Sequence, residues 1–163
     1  MECGHFYFLE SRYFVDFNDD KLMSNHETVD GATHDRPCYC CLKLKDTDNI
    51  YWGIPISSQV KKYREIYNKK LSKYGICDTI EFGNVLGVER AFLIQNMCPI
   101  TDEYIKNEYV HYGVPVALDF ETHNRIKRKA AKVLALLHNS NKNFIFPNVL
   151  EIEKALKSRN NST

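Results

Sequence analysis

Two neighbouring segments decide how this chain folds: GATHDRPCYCCLKL, Gly31 to Leu44, and IYWGIPISSQVKKYREIY, Ile50 to Tyr67. CYCCLKL is compact and β-prone, and IYWGIPI is a second run of the same kind. DTDN, Asp46 to Asn49, is turn chemistry between them. The pair predicts an antiparallel hairpin that brings Arg36, at the start of the first strand, close to Ser57 and Ser58, at the end of the second. Ser57 or Ser58 then serves as N-cap of a helix. Val60, Tyr63, Ile66, Tyr67 and Leu71 form its apolar stripe, and Gly75 stops it.

Outward from this hairpin, HFYFLESRYFVDF (His5 to Phe17) predicts one or two strands, and the polar stretch Asn18 to Asp35 a loop or excursion. Cys77 to Ile100 predicts two strands around the turn residues Gly83, Asn84 and Gly87. TDEYIKNEYV (Thr101 to Val110) predicts a short helix capped by Thr101. Asp119 to Ser140 predicts a helix with Ile126, Ala130, Val133, Leu134 and Leu137 inward, and Pro147 starts a terminal helix before a frayed RNNST end. Strands with interspersed helices and no βαβ rhythm predict an antiparallel α+β fold, and 163 residues suit one domain, 1–163.

Composition sets bounds. The chain is 44% hydrophobic and 26% charged, ordinary for a globular protein. Its apolar runs, such as Val133 to Leu137, are too short to span a bilayer, and MECGHFYFLE has no signal-peptide pattern, so a cytoplasmic location is expected. Cys38 and Cys41 have C-x-x-C spacing but no second pair follows, so no metal or other cofactor is expected. A glycine-rich phosphate loop and a G-x-S-x-G elbow are both absent from the sequence.

The net charge is only +1, yet residues 1–35 carry eight acids and two bases, and residues 36–163 carry twenty bases and thirteen acids. Lys61, Lys62, Arg64, Lys69, Lys70 and Lys73 cluster on one expected helix, and Arg125, Lys127, Arg128, Lys129 and Lys132 on another. Such patches bind phosphates even when total charge is small; the plainer alternative is two solvated helix faces. RNA cleavage by the adjacent 2′-hydroxyl needs in-line positioning, a proton acceptor, a proton donor and donors to the phosphoryl oxygens. Arg36 has the fork that clamps phosphate, and Ser57 and Ser58 offer hydroxyls and amides at a helix start. Lys61 and Lys62 oppose the helix dipole unless an anion sits there. His34 is the nearby side chain suited to proton transfer. Taken singly, these residues also have plain roles as caps, surface ion pairs and core tyrosines.

The run RPCYCCLKL…IYWGIPISSQVKKY resembles the core of ToxN/AbiQ-type toxins of bacterial type III toxin–antitoxin systems, in particular the CptN branch. In that family a strand, a turn and a Y-x-x-P-[LI]-[ST]-S segment lead into a basic helix. SRYFVDF (Ser11 to Phe17) is similar to an early aromatic run of the family, and FGNVLGVERAFLIQNMCPI (Phe82 to Ile100) to its paired strands before a proline. The resemblance implies a compact, strongly bent antiparallel sheet surrounded by about four helices, like MazF and Kid toxins. It also implies a metal-independent endoribonuclease that leaves 2′,3′-cyclic phosphate and 5′-hydroxyl ends. The partners that the resemblance implies are a pseudoknot-repeat RNA antitoxin, processed by the toxin and joined with it in a closed hetero-oligomer, and cellular or phage mRNA as substrate.

By position, Ser57 and Ser58 match the [ST]-S pair, Tyr13 the early tyrosine, and Arg36 the basic residue at the hairpin start. SSQVKKY replaces the family's S-P-K, which moves the lysine role to Lys61 or Lys62. The expected catalytic set is therefore Ser58, Ser57, Arg36, Lys61 and, by proximity alone, His34. The expected RNA-contacting set is Tyr13, Gln59, Lys62, Tyr63, Arg64, Lys69, Lys70, Arg125, Lys127 and Arg128. A non-catalytic RNA-binding module using the same basic face is the alternative from another class.

Overall fold

The computed structural model describes residues 1–44 and 49–160. The turn expected at DTDN falls mostly on residues 46–48, and the last three residues of RNNST are 161–163; both lie outside the described residues.

The expected hairpin forms the centre of the molecule. β4 (Pro37–Lys43) and β5 (Tyr51–Ser57) pair antiparallel with Cys38 opposite Pro55 and Lys43 opposite Tyr51. Beyond β4 come β1 (Phe6–Leu9) and β9 (Ile105–Glu108). The other edge of β5 is shared. Tyr51–Gly53 pair with β8 (Cys98–Ile100), whereas Ile56 and Ser57 pair with β7 (Val88–Phe92), which pairs with β6 (Glu81–Val85). One strand edge serving two partners splits and bends the sheet. Pro55, with no N–H for a ladder, sits where the partner changes, and its carbonyl accepts from Leu93 N–H at 3.0 Å. All these pairings are antiparallel, which makes the fold α+β.

Four α-helices flank the sheet among the described residues: α1 (Ser11–Asp16), α2 (Val60–Tyr74), α3 (Phe120–Ser140) and α4 (Val149–Asn160). α3 buries Ile126, Ala130, Val133, Leu134 and Leu137, as its spacing requires, and Asp119 caps it by accepting from Thr122 N–H at 2.9 Å. Val60, Tyr63, Ile66 and Tyr67 of α2 pack over a smaller core of Ile80, Phe82 and Leu93, while Leu71 stays exposed. α2 ends at Gly75, whose φ of 71° is the left-handed stop.

Several expectations are corrected. SRYFVDF is helical in α1, where Tyr13 and Phe17 turn into the core, so its aromatic character reflects burial and not a strand. Thr101 does not cap a helix: Asp102–Tyr104 is a single 3-10 turn and Ile105–Glu108 is strand β9. Of the turn residues, Gly83 and Asn84 lie inside β6 and the turn is Leu86-Gly87. Pro147 precedes α4 by two residues. The polar excursion contains a hairpin of its own, β2 (His26–Val29) and β3 (Ala32–Asp35), and Val110–His111 with Val114–Pro115 make the small β10–β11 hairpin. Asp30 and Gly31 both have positive φ, 50° and 79°, the two-residue turn whose twist matches the flanking strands.

Gly53 is where the central strand is most tightly held. A Cβ there would lie 2.5 Å from Cys38 Sγ and 2.9 Å from Ile100 Cδ1, side chains of the strands on either side. Gly53→Ala is therefore expected to lower stability by roughly 1–3 kcal/mol in a urea melt. An unchanged midpoint would contradict this packing.

Candidate active site

The end of β5 and the start of α2 form an unusual junction. Neither serine caps α2. The helix starts at Val60 after Gln59, with no side-chain cap, and the Gln59 N–H donates to the buried Ser57 Oγ at 3.2 Å. The first turn carries Lys61 and no acid of its own. The missing negative charge comes from the β2–β3 hairpin. Glu27 Oε2 accepts from Ser58 N–H at 3.3 Å, Ser58 Oγ at 3.2 Å and Arg36 Nη1 at 3.3 Å. The carboxylate thus meets the chain at Ser58, one residue before the N-cap Gln59.

Arg36 and Ser58 do converge, on one carboxylate oxygen, but Arg36 is not a free phosphate clamp. It is only 9% exposed. Its Nε donates to Ser24 O at 2.8 Å, Nη1 to Ile56 O at 2.9 Å and Nη2 to His26 O at 3.2 Å. Burial lowers its pKa, and the Glu27 carboxylate opposes that shift. The fork expected to hold phosphate is spent on backbone carbonyls and Glu27. Its work is to fasten the excursion to the sheet. Lys106 adds a second tie to Asp35 at 2.7 Å and holds that carboxyl below its usual range.

Fastened this way, the hairpin roofs a cleft of about 730 Å³ whose other walls are the β6–β7 hairpin, Phe8, Pro37, Ile56 and Tyr109. Glu27 and His34 are direct register partners, so both project from one face of the hairpin, and both line the cleft. Arg90 lines it from β7 with no ion pair among the described residues. Phe8 and Tyr109 supply an aromatic wall, with ring centroids 5.2 Å apart. His34 was within reach of sequence reasoning; Glu27, Arg90, Phe8 and Tyr109 were missed. The available signal was Asp30-Gly31: a two-residue turn there pairs Glu27 with His34 by counting.

The other expected RNA-contacting residues divide by burial and partner. Tyr13 is fully buried and its hydroxyl donates to Pro99 O at 2.8 Å, so it cannot stack on a base. Tyr63 is packed in the smaller core, and burial raises its phenol pKa. Arg64 is bound to Glu89 at 2.6 Å and lies 3.6 Å from the Phe82 ring centroid. Lys70 donates to Thr79 Oγ1 and Gln95 Oε1, and desolvation lowers its pKa. Arg125 is held by Thr122 Oγ1, Phe82 O and, at 3.8 Å, Glu81. Gln59, Lys61, Lys62, Lys69, Lys127 and Arg128 remain exposed, and the bases among them carry no ion pair among the described residues. A second, smaller cleft of about 300 Å³ lies between the two basic helices, lined by Tyr67 and Leu71 on α2 and by Arg128, Lys129 and Lys132 on α3.

The six cysteines are free, and among the described residues no three His, Cys, Asp or Glu side chains group as a metal site. No described helix is long and apolar enough to cross a membrane.

Comparison of the sequence with protein-family models and with curated proteins finds no match. The fold does match solved structures. One is AbiQ, a lactococcal anti-phage endoribonuclease belonging to a type III toxin–antitoxin system. The match has a TM-score of 0.59 at 15% identity and covers 95% of this chain and 98% of that one. The chain therefore has the AbiQ fold, the architecture that its sequence resemblance implied.

Because Arg36 is an internal fastener, Arg36→Ala is expected to destabilise the protein by about 3 kcal/mol in chemical denaturation, since it strands Glu27 and several carbonyls. A variant that melts like the parent yet loses RNA affinity would instead make Arg36 a phosphate ligand.

Proposed function

We propose that this protein is an endoribonuclease toxin of the type III toxin–antitoxin kind. The observation that carries the reading is a fold shared with such a ribonuclease along nearly the whole chain. An open cleft, lined by Pro37 and Ile56, lies next to the Arg36 and Ser57–Ser58 positions that the sequence resemblance singles out, although those residues do not line it. The cleft has the parts that a 2′-hydroxyl attack on phosphorus requires: groups able to move protons, a cation and aromatic faces. The proposed reaction is metal-independent and sequence-selective, leaving a 2′,3′-cyclic phosphate and a 5′-hydroxyl. Ser57 and Ser58 act at the junction, and Lys61 and Lys62 draw in the phosphate backbone. The proposed antitoxin is a pseudoknot-repeat RNA that the enzyme trims and that holds it in a closed assembly within the cytoplasm.

In EDTA, purified protein is expected to cut a mixed-sequence transcript and leave 5′-hydroxyl ends that polynucleotide kinase labels directly. An RNA-binding module would retain the transcript uncut. Expressed alone, the protein is expected to arrest growth, and the Ser58→Ala, Lys61→Ala double variant to relieve the arrest while keeping most RNA binding.

Binding is expected to depend on salt through the free cations Lys61, Lys62, Lys69, Lys127 and Arg128. About five phosphate contacts give a log–log slope near −3.5, so fourfold more salt weakens binding about 100-fold. Lys61→Ala with Lys62→Ala should flatten that slope by about 1.4, as read by filter binding across a salt series. A slope near zero would leave only solvated helix faces.

A further inference from the structure

The proposed function leaves open which groups move the protons. We propose that Glu27 is the general base and His34 the general acid of this cleft, a pairing that rests on the endoribonuclease reading and goes beyond it.

Three observations carry the pair. Glu27 is held by one oxygen only. Oε2 takes Arg36 Nη1 and both Ser58 donors, whereas Oε1 has no hydrogen-bond partner among the described residues. A carboxylate anchored at one oxygen and open at the other is fixed in space yet free to accept a proton. His34 faces the same cleft from the directly opposite position of the hairpin, exposed and with no side-chain hydrogen bond among the described residues. Arg90 supplies an unpaired cation to the same space, where the phosphoryl oxygens gain charge during attack. A purely structural Glu27 would need its bonds to Arg36 and Ser58 but not a place in the cleft wall.

The chemistry balances. Glu27 takes the proton of the 2′-hydroxyl as the 2′-oxygen forms its bond to phosphorus. The bond from phosphorus to the 5′-oxygen breaks, and the His34 imidazolium gives its proton to that oxygen. The products are a cyclic phosphate and a 5′-hydroxyl, with Glu27 protonated and His34 neutral until solvent resets both. Arg36 and Ser58 are positioning residues: they hold Glu27 and do not touch the substrate.

The test is single-turnover cleavage of a mixed-sequence transcript by the full chain across a pH series. Wild type is expected to give a bell, with the acid limb from Glu27 and the basic limb from His34. The titratable and charged groups around the pair are Arg36 at the start of β4, Tyr63 on α2, Asp35 on β3 with its partners His26 on β2 and Lys106 on β9, Arg90 on β7 and Tyr109.

Glu27→Gln keeps the shape and an acceptor for Arg36. It is expected to slow cleavage at least about 100-fold, to remove the acid limb and to leave filter binding unchanged. Glu27→Asp is expected to be slower than wild type but to keep the acid limb. His34→Gln is expected to be similarly slow, and a transcript with sulfur at the 5′-bridging position of a mapped cleavage site should restore its rate, because a thiolate leaves without a proton. The same sulfur should not rescue Glu27→Gln. A Glu27→Gln protein that cuts at the parent rate with the parent pH profile, or a His34→Gln protein that sulfur does not rescue, overturns the pairing and leaves the ribonuclease reading standing. If Glu27→Gln does not fold, Glu27→Asp and the sulfur test decide. Wild type that leaves the transcript intact overturns both.

Discussion

Everything at the cleft depends on one buried guanidinium. Arg36 stands at the start of the central hairpin, where the chain leaves an acidic excursion and enters the sheet. Its donors reach Ser24 just before the β2–β3 hairpin, His26 at the first residue of β2, Ile56 near the end of β5, and the Glu27 carboxylate. A cation taken this far out of water is tolerable only when its donors are satisfied, and here they are, by three carbonyls and one carboxylate. The same bonds fix where the hairpin lies. They turn a polar stretch with little core of its own into the roof of a cleft, with Glu27 and His34 in it.

Charge is distributed by the same logic. The overall balance is close to neutral, yet acids and bases are not interchangeable in place. On α3, Lys129 and Lys132 are bound to Glu81 and Asp78 at 3.0 and 2.5 Å, so much of that basic run fastens the helix to β6 and the loop before it. Among the described residues, Lys61, Lys62, Lys69 and Lys73 along α2 and Lys127 and Arg128 on α3 are exposed bases without an ion pair.

What the sequence disclosed and what it hid follow from how local each signal is. The β4–β5 hairpin was legible as two compact β-prone runs around a turn, α3 because its apolar spacing matches its burial, and α2 by the same spacing except at the exposed Leu71. The approach of Arg36 to Ser57 and Ser58 followed from antiparallel pairing alone. The role of Arg36 was not legible. Whether a guanidinium faces solvent or three carbonyls depends on contacts from Ser24, His26 and Ile56, distant in sequence and silent as side chains. Tyr13 matches an early tyrosine of the resembled family by position, and positional resemblance does not disclose that α1 turns its ring into the core. Glu27 lies in a polar stretch whose low hydrophobicity reads as loop, and only the Asp30-Gly31 pair signals the β2–β3 hairpin that carries it. Thr101 shows the reverse error, a cap residue followed by a single 3-10 turn, because the following residues were needed at the sheet edge as β9.

We propose that RNA is cut in the cleft under the β2–β3 hairpin. A crystal structure of the protein with an RNA carrying 2′-deoxy at a mapped cleavage site tests it directly. The account requires the uncut phosphate in that cleft, with the C2′ position beside Glu27 Oε1, the 5′-oxygen toward His34, and Arg90 within about 3 Å of a phosphoryl oxygen. A scissile phosphate lying instead along the groove between α2 and α3, with the roofed cleft empty of RNA, would contradict it.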